Sequence, residues 1–270
     1  MNLQKTYLTG IALWMALLPA ARAQNQPQQI VQQAVDAEHA ADRGDRSQWL
    51  YLETIAKPGG RIVQWVATTS NANINRVLEK NGTQLPEEEQ RTLVQRFLGD
   101  AKAQKKQMEE SNHDNQQIDD LLVLLPAAFV WTQTAATETT TTLHFEPAPG
   151  FHPPTREARV FSGMTGDLVL DNRQHRICKI DGRLTRDITF GGGLLGKLRA
   201  GSSFSLEQQQ TGPSLWQLTE IHVHLQGTAL LFKSVSLEED DERTRFQPES
   251  SSITLDQAAD NALRQPQELH

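Results

Sequence analysis

The chain has 270 residues, a formal net charge of −7 and one cysteine. The acidic balance excludes simple binding to nucleic-acid phosphates, which reward clustered Lys and Arg, and simple electrostatic adhesion to an anionic membrane. A lone Cys178 excludes an internal disulfide, so the fold must rest on its core, and the length is ample for one.

The N-terminus reads as a secretion signal over residues 1–23. Lys5 gives the positive n-region, Ile11 to Leu18 a short apolar run, and Ala21-Arg22-Ala23 small side chains at the positions a signal peptidase reads. The run is about half of the roughly 20 residues a membrane span needs, so cleavage between Ala23 and Gln24 is expected, with no permanent anchor. No cysteine lies near that site, so no lipidation is implied. Losing Lys5 and Arg22 with the leader moves the formal charge from −7 to −9. The expected address is the periplasm of a Gram-negative cell, or the exterior.

An N-terminal helical segment, 24–44, follows. Ile30, Val31, Ala34, Val35 and Ala41 recur at helical spacing, and Gly44 reads as its C-cap. That capping role accounts for the Arg43-Gly44-Asp45 triplet, which matches an adhesion motif in letters only. Trp49–Ala56 and Arg61–Thr69 read as strands about the Lys57-Pro58-Gly59-Gly60 turn, and Arg76–Lys80 as a third, closed by Asn81-Gly82.

The pattern then becomes helical over about 86–125. Pro86 and three glutamates open one helix; a polar stretch, 102–117, either continues or breaks it; a second helix holds Ile118, Leu121 and Leu125. From Phe129 to about residue 237 the chain is β-rich. Predicted strands are Thr139–Phe145, Ala158–Phe161, Met164–Leu170, Arg176–Ile188, Ser202–Glu207, Leu215–Leu225 and Ala229–Leu237, with a stiff Glu146–Pro154 connection. Short turns between them indicate an antiparallel meander. Glu238–Glu242 reads as a solvated acidic turn. Thr254-Leu255-Asp256-Gln257 predicts a capping box for a helix through Leu263, and 248–270 is assigned to this helix and a tail.

Sites of chemistry are sparse. Gly191 to Leu198 matches a phosphate-binding loop until Leu198 occupies the position that needs Ser or Thr; a glycine-rich bend explains it better. His222 and His224 share one strand face, about 7 Å apart, as two metal ligands could, but Ile221, Val223 and Leu225 form the opposite, apolar face. Cys178 reads as a buried, inert thiol. No nucleophile arrangement is present, so the reading is not an enzyme and needs no cofactor. Apolar residues remain: Phe97, Leu121, Leu168, Leu184, Phe204, Trp216 and Phe232 are the candidates for lining a cavity between a sheet and its helices.

The hairpin Met164-Thr165-Gly166-Asp167-Leu168-Val169-Leu170-Asp171, turning through Asn172-Arg173-Gln174-His175 into Arg176-Ile177-Cys178-Lys179-Ile180-Asp181-Gly182, resembles that of the outer-membrane lipoprotein-sorting and carrier superfamily (the LolA/LolB-like fold). The resemblance implies a mainly β, α+β domain over 45–247: a curved antiparallel meander, an unclosed half-barrel, with a helical lid. It also implies a soluble carrier holding lipid or a lipoprotein acyl chain. Two alternatives stand beside it: an envelope sensing or scaffolding module that binds a protein, and a metal-dependent exported enzyme using His222 and His224.

Overall fold

The computed structural model describes residues 19–190, 196–229 and 238–267. Most of the expected leader, and residues 230–237 of the strand expected over Ala229–Leu237, Phe232 among them, lie outside the described residues.

Fourteen strands and five α-helices are described: α1 Pro19–Gly44, β1 Gln48–Lys57, β2 Gly60–Ala67, β3 Ile74–Lys80, β4 Thr83–Gln84, α2 Glu87–Leu98, α3 Ala101–Leu122, α4 Leu125–Ala128, β5 Phe129–Ala136 and β6 Thr140–Pro147. A 3-10 helix, Glu157–Gly163, precedes β7 Met164–Asp171, β8 Ile177–Leu184, β9 Ile188–Phe190, β10 Gly196–Leu198, β11 Ser203–Gln210, β12 Trp216–His224, β13 Gly227–Ala229, β14 Glu238–Glu249 and α5 Leu255–Arg264. Eleven strands make one antiparallel sheet in the order β4-β3-β2-β1-β14-β12-β11-β8-β7-β6-β5, and β13-β10-β9 make a small second sheet. The expected α+β architecture, an unclosed antiparallel sheet with helices, is what the chain forms. Its two edges, β4 and β5, are consecutive in sequence, so α2, α3 and α4 carry the chain from one edge to the other. At 1.5 Å per residue, the 22 residues of α3 span about 33 Å of that crossing.

Three expectations change. Ala158–Phe161 is not a strand but part of the 3-10 helix, started by Thr155, whose hydroxyl accepts from the Ala158 amide; the turn buries Ala158, Val160 and Phe161. Arg176–Ile188 is two strands, because Thr185-Arg186-Asp187 turns away to hold other backbone: Thr185 and Arg186 donate to Gly163 and Ser162 carbonyls. Most consequentially, Glu238–Glu242 is not a turn. It opens β14, which lies between β1 and β12 and joins the two halves of the sheet.

Because side chains alternate along a strand, the pairing register assigns each residue to a face. One face, called inner here, carries Leu143, Leu168, Leu170 and Leu184, packed with Val31, Ala34 and Val35 of α1 and with Leu125 and Ala128 of α4. Phe129, Trp131, Phe145 and Phe161 meet there with ring centroids 4.7–5.7 Å apart. The opposite, outer face is covered at the other end of the sheet. There Leu50, Leu52, Val63, Trp65 and Leu78 pack with Val94 of α2 and with Ala258, Ala259 and Ala262 of α5. Each fully buried large side chain contributes about 1.5–3 kcal/mol, so these two cores anchor opposite faces at opposite ends, and a smaller third cluster joins Trp49, Tyr51 and Val66 with Leu215 and Phe246.

Buried polar groups fix the ends of helices. The capping box at Thr254 and Gln257 forms as expected. At the other end of α5, Arg76, only 3% exposed, donates to the carbonyls of Ala262, Leu263 and Gln265 at 3.0, 3.1 and 2.6 Å. A cation on unpaired C-terminal carbonyls is the favourable sign for a helix dipole.

The row Phe145–Gly166–Gly182–Phe204 crosses four neighbouring strands. A Cβ on Gly166 would stand 1.8 Å from the Asp181 carbonyl oxygen, and one on Gly182 would stand 2.2 Å from the Phe204 ring. The two glycines therefore admit a close strand approach and leave room for the flanking rings.

Candidate functional site

The inner face carries a further apolar row, running from β2 to β8. Ile62 pairs with Ile55, Ile55 with Asp241, Asp241 with Ile221, Ile221 with Leu206, and Leu206 with Ile180. The five apolar residues are all half-buried. Ile180 touches the α1-side core, whereas Ile55, Ile62, Leu206 and Ile221 belong to no core cluster among the described residues. At the β1–β2 end the row opens on a cavity of about 330 Å³ lined by Ile55, Ile62, Lys57, Lys80 and Asn81.

A buried polar cluster interrupts this row. Asp241 is 3% and Glu53 6% exposed. Arg243 lies between them: its Nε is 3.2 Å from Glu53 Oε1, and its Nε and Nη2 donate to Asp241 Oδ2 at 3.1 and 2.6 Å. Gln64 donates to Glu53 Oε2 at 2.7 Å, and the guanidinium stacks over Tyr51, 5.6 Å from the ring centroid. Asp241 Oδ1 is buried with no hydrogen-bond partner among the described residues. Burial, then the neighbouring Asp241, pushes the Glu53 carboxyl above its ordinary value. Burial likewise raises the Tyr51 phenol. Desolvation opposes the Arg243 charge, but Tyr51, Asp241 and Glu53 together hold it above its ordinary value.

The outer face over β6–β14 is polar. His222 Nδ1 lies 2.7 Å from Asp240 Oδ1 and its Nε2 3.4 Å from Glu220 Oε2; His224 Nε2 lies 3.3 Å from the same Asp240 oxygen. A shallow cleft of about 300 Å³ between Thr165, Arg183, Ser203 and Ser205 reaches these histidines. Both nitrogens of His222 already face carboxylates, and the described residues hold no group of three or more metal-ligating side chains arranged for an ion.

Four of the candidate cavity residues gather at the α1-side core, and Phe97 and Trp216 lie elsewhere. Leu168 and Leu184 are buried in the α1-side core, with Leu121 and Phe204 at its border. Phe97 borders the α5-side core. Trp216 donates its indole N–H to Gln174 and lies under Arg176, 5.8 Å from the ring centroid. Phe232 is outside the described residues. Cys178 is half-buried, and burial, with Asp171, Glu38 and Glu207 nearby, pushes its thiol up to about 11, which leaves it unreactive near neutral pH.

Glu53, Asp241 and Arg243 were not legible as a site. Charges occupy both parities of Glu238–Arg243, so no apolar alternation marks the strand; the only signal is opposite charge two residues apart, at Asp241 and Arg243.

The fold and this row define a class: an open antiparallel sheet with an apolar inner face that its described helices cover only in part. No protein-family model matches the chain, and no curated protein matches it. Among solved structures it is similar to the crystal structure of a "putative outer membrane lipoprotein-sorting protein domain" from Vibrio parahaemolyticus, with 8% sequence identity and a TM-score of 0.32, covering 87% of this chain and 100% of that one. No helix among the described residues is long and apolar enough to cross a membrane.

Proposed function

We propose that this is an exported binding or carrier protein that holds the apolar chain of a lipid or lipoprotein against the inner face of the sheet. The observation that carries the reading is the half-buried row Ile62, Ile55, Ile221, Leu206 and Ile180, which crosses the inner face from a cavity at β1–β2 to the border of the α1-side core. Contiguous apolar surface of this kind marks a ligand or partner site.

Export rests on the leader and on one feature of α1. Pro27 lies inside the helix Pro19–Gly44, where a proline costs an internal hydrogen bond. Cleavage between Ala23 and Gln24 would leave Pro27 in the first turn, where its missing N–H is harmless. The mature unit would then comprise α1 and the 45–247 sheet region, followed by the 248–270 helix and tail.

Native mass spectrometry of protein purified from its own host without detergent tests the carrier reading. A complex heavier by the mass of an amphiphile is expected; a clean unliganded mass from freshly prepared protein would contradict it. A partner-binding role is favoured by a different observation, the exposure of Ile118, Val123 and Val130 on and beside the C-terminal end of α3. Envelope crosslinking from those positions would reveal it.

A further inference from the structure

The inner-face cluster has an unbalanced charge. Glu53 and Asp241 supply two formal negatives and Arg243 one positive, all drawn into a site from which Asp241 is 3% and Glu53 6% exposed. Lys57, a further cation on this face, is already 3.0 Å from Glu239. An uncompensated buried carboxylate is expensive unless it is paired and hydrogen-bonded, yet Asp241 Oδ1 has no donor among the described residues. That oxygen belongs to a side chain flanked in register by Ile55 and Ile221, so the vacant acceptor lies within the apolar row, and Ile55 also lines the cavity.

A carboxylate oxygen accepts only, so a matching ligand must donate. Arg243 is engaged by both carboxylates and cannot also serve an anionic head without surrendering one of them. A quaternary ammonium would bring charge but no N–H. A primary ammonium brings both.

We propose that Asp241, supported by Glu53, receives the hydrogen-bond-donating cationic end of the bound amphiphile, a primary ammonium on an apolar chain. This rests on the carrier reading above and specifies its ligand class.

The test is isothermal titration of the full chain at neutral pH and physiological salt with three probes below their micellar concentrations: dodecylammonium, dodecyltrimethylammonium and 1-dodecanol. A charge-assisted hydrogen bond predicts that dodecylammonium binds at least about tenfold more tightly than either. In Asp241→Asn that preference should collapse while dodecanol affinity is kept. Glu53→Gln, which retains Asp241 and Arg243, should reduce the preference in part. Equal affinity for the three probes in the native protein overturns the headgroup inference and leaves the apolar site standing. A preference that survives in a folded Asp241→Asn protein also overturns it, since general attraction to an acidic chain then explains it. If Asp241→Asn does not fold, the native three-probe series and Glu53→Gln decide. Binding of none of the three overturns the carrier reading itself.

Discussion

Glu38 and Arg176 form a two-pronged pair that fastens α1 to the sheet. Arg176 Nε and Nη2 donate to Glu38 Oε1 and Oε2 at 3.0 and 2.8 Å, and the Ile177 amide donates to Oε1 at 2.8 Å. The side chains are 11% and 12% exposed, so the pair is largely shielded from water, and Arg176 also stacks on Trp216. One carboxylate thus holds the start of β8, α1 and, through Arg176, β12. Breaking a buried pair by removing one partner costs more than the pair is worth in total, because the other charge is stranded. Glu38→Gln should therefore lower unfolding free energy by about 2–4 kcal/mol, read as a lower urea midpoint. Arg176→Lys should fall between Glu38→Gln and the native protein, since lysine keeps the charge but not the fork.

The glycine row makes a reciprocal prediction. Gly182→Ala places a methyl 2.2 Å from the Phe204 ring, and overpacking of this kind costs about 1–3 kcal/mol. The clashing atom belongs to a side chain, so Phe204→Leu in the same molecule should recover part of the loss. A double-mutant cycle by chemical denaturation measures the coupling; strictly additive losses would mean the ring is not the obstacle. Gly166→Ala meets backbone instead, at 1.8 Å, so no side-chain substitution should rescue it.

Arg76 is the C-terminal cap of α5. Arg76→Met keeps most of the buried stem but leaves three carbonyls and Gln90 Oε1 without their donor. A loss of about 2–4 kcal/mol is expected, with earlier proteolysis near 253–267 than at any site in β5–β8. Uniform sensitivity along the chain would argue against a local cap.

The outer face should give a weak pH dependence. The Asp240 hydrogen bond, opposed by some desolvation and aided by Glu220, raises His222 above its ordinary value. The folded protein then binds this proton more tightly than the unfolded chain does. Its stabilisation is fully present below the unfolded value, about 6.5, and is lost as pH rises through the folded value. With the side chain 31% exposed, solvent screening limits the effect to roughly 0.5–1 kcal/mol. Thermal melts from pH 5 to 8 should show His222→Gln flattening that slope; an unchanged slope would assign it to another group.

Local chemistry was legible where one rule acted alone. Asn81 and Gly82 adopt positive φ, 54° and 76°, as a tight hairpin turn requires, and Thr254 with Gln257 makes the capping box that its spacing announces. The Gly166–Gly182 hairpin fell where the sequence placed it. The polar stretch 102–117 left helix and break both open, because its only support is propensity and spaced pairs such as Lys105–Glu109 and Lys106–Glu110. It is continuous helix. The site was hidden for a different reason. Asp241 is buried, and Arg243 held beside it, by tertiary pairing with Glu53, 188 positions before Asp241, and five consecutive acids look like a solvated turn to any reading that weighs only local polarity.

On the carrier reading, the inner-face row from Ile62 to Ile180 is the surface that meets an apolar chain. Isoleucine-δ1-methyl NMR of the full chain titrated with 1-dodecanol tests it most directly. Shifts are expected at Ile55, Ile180 and Ile221, with Ile74 and Ile253, which sit in the outer-face core, unmoved. Perturbation confined to Ile118, the most exposed apolar side chain of α3, or the absence of any shift along the inner row, would contradict it.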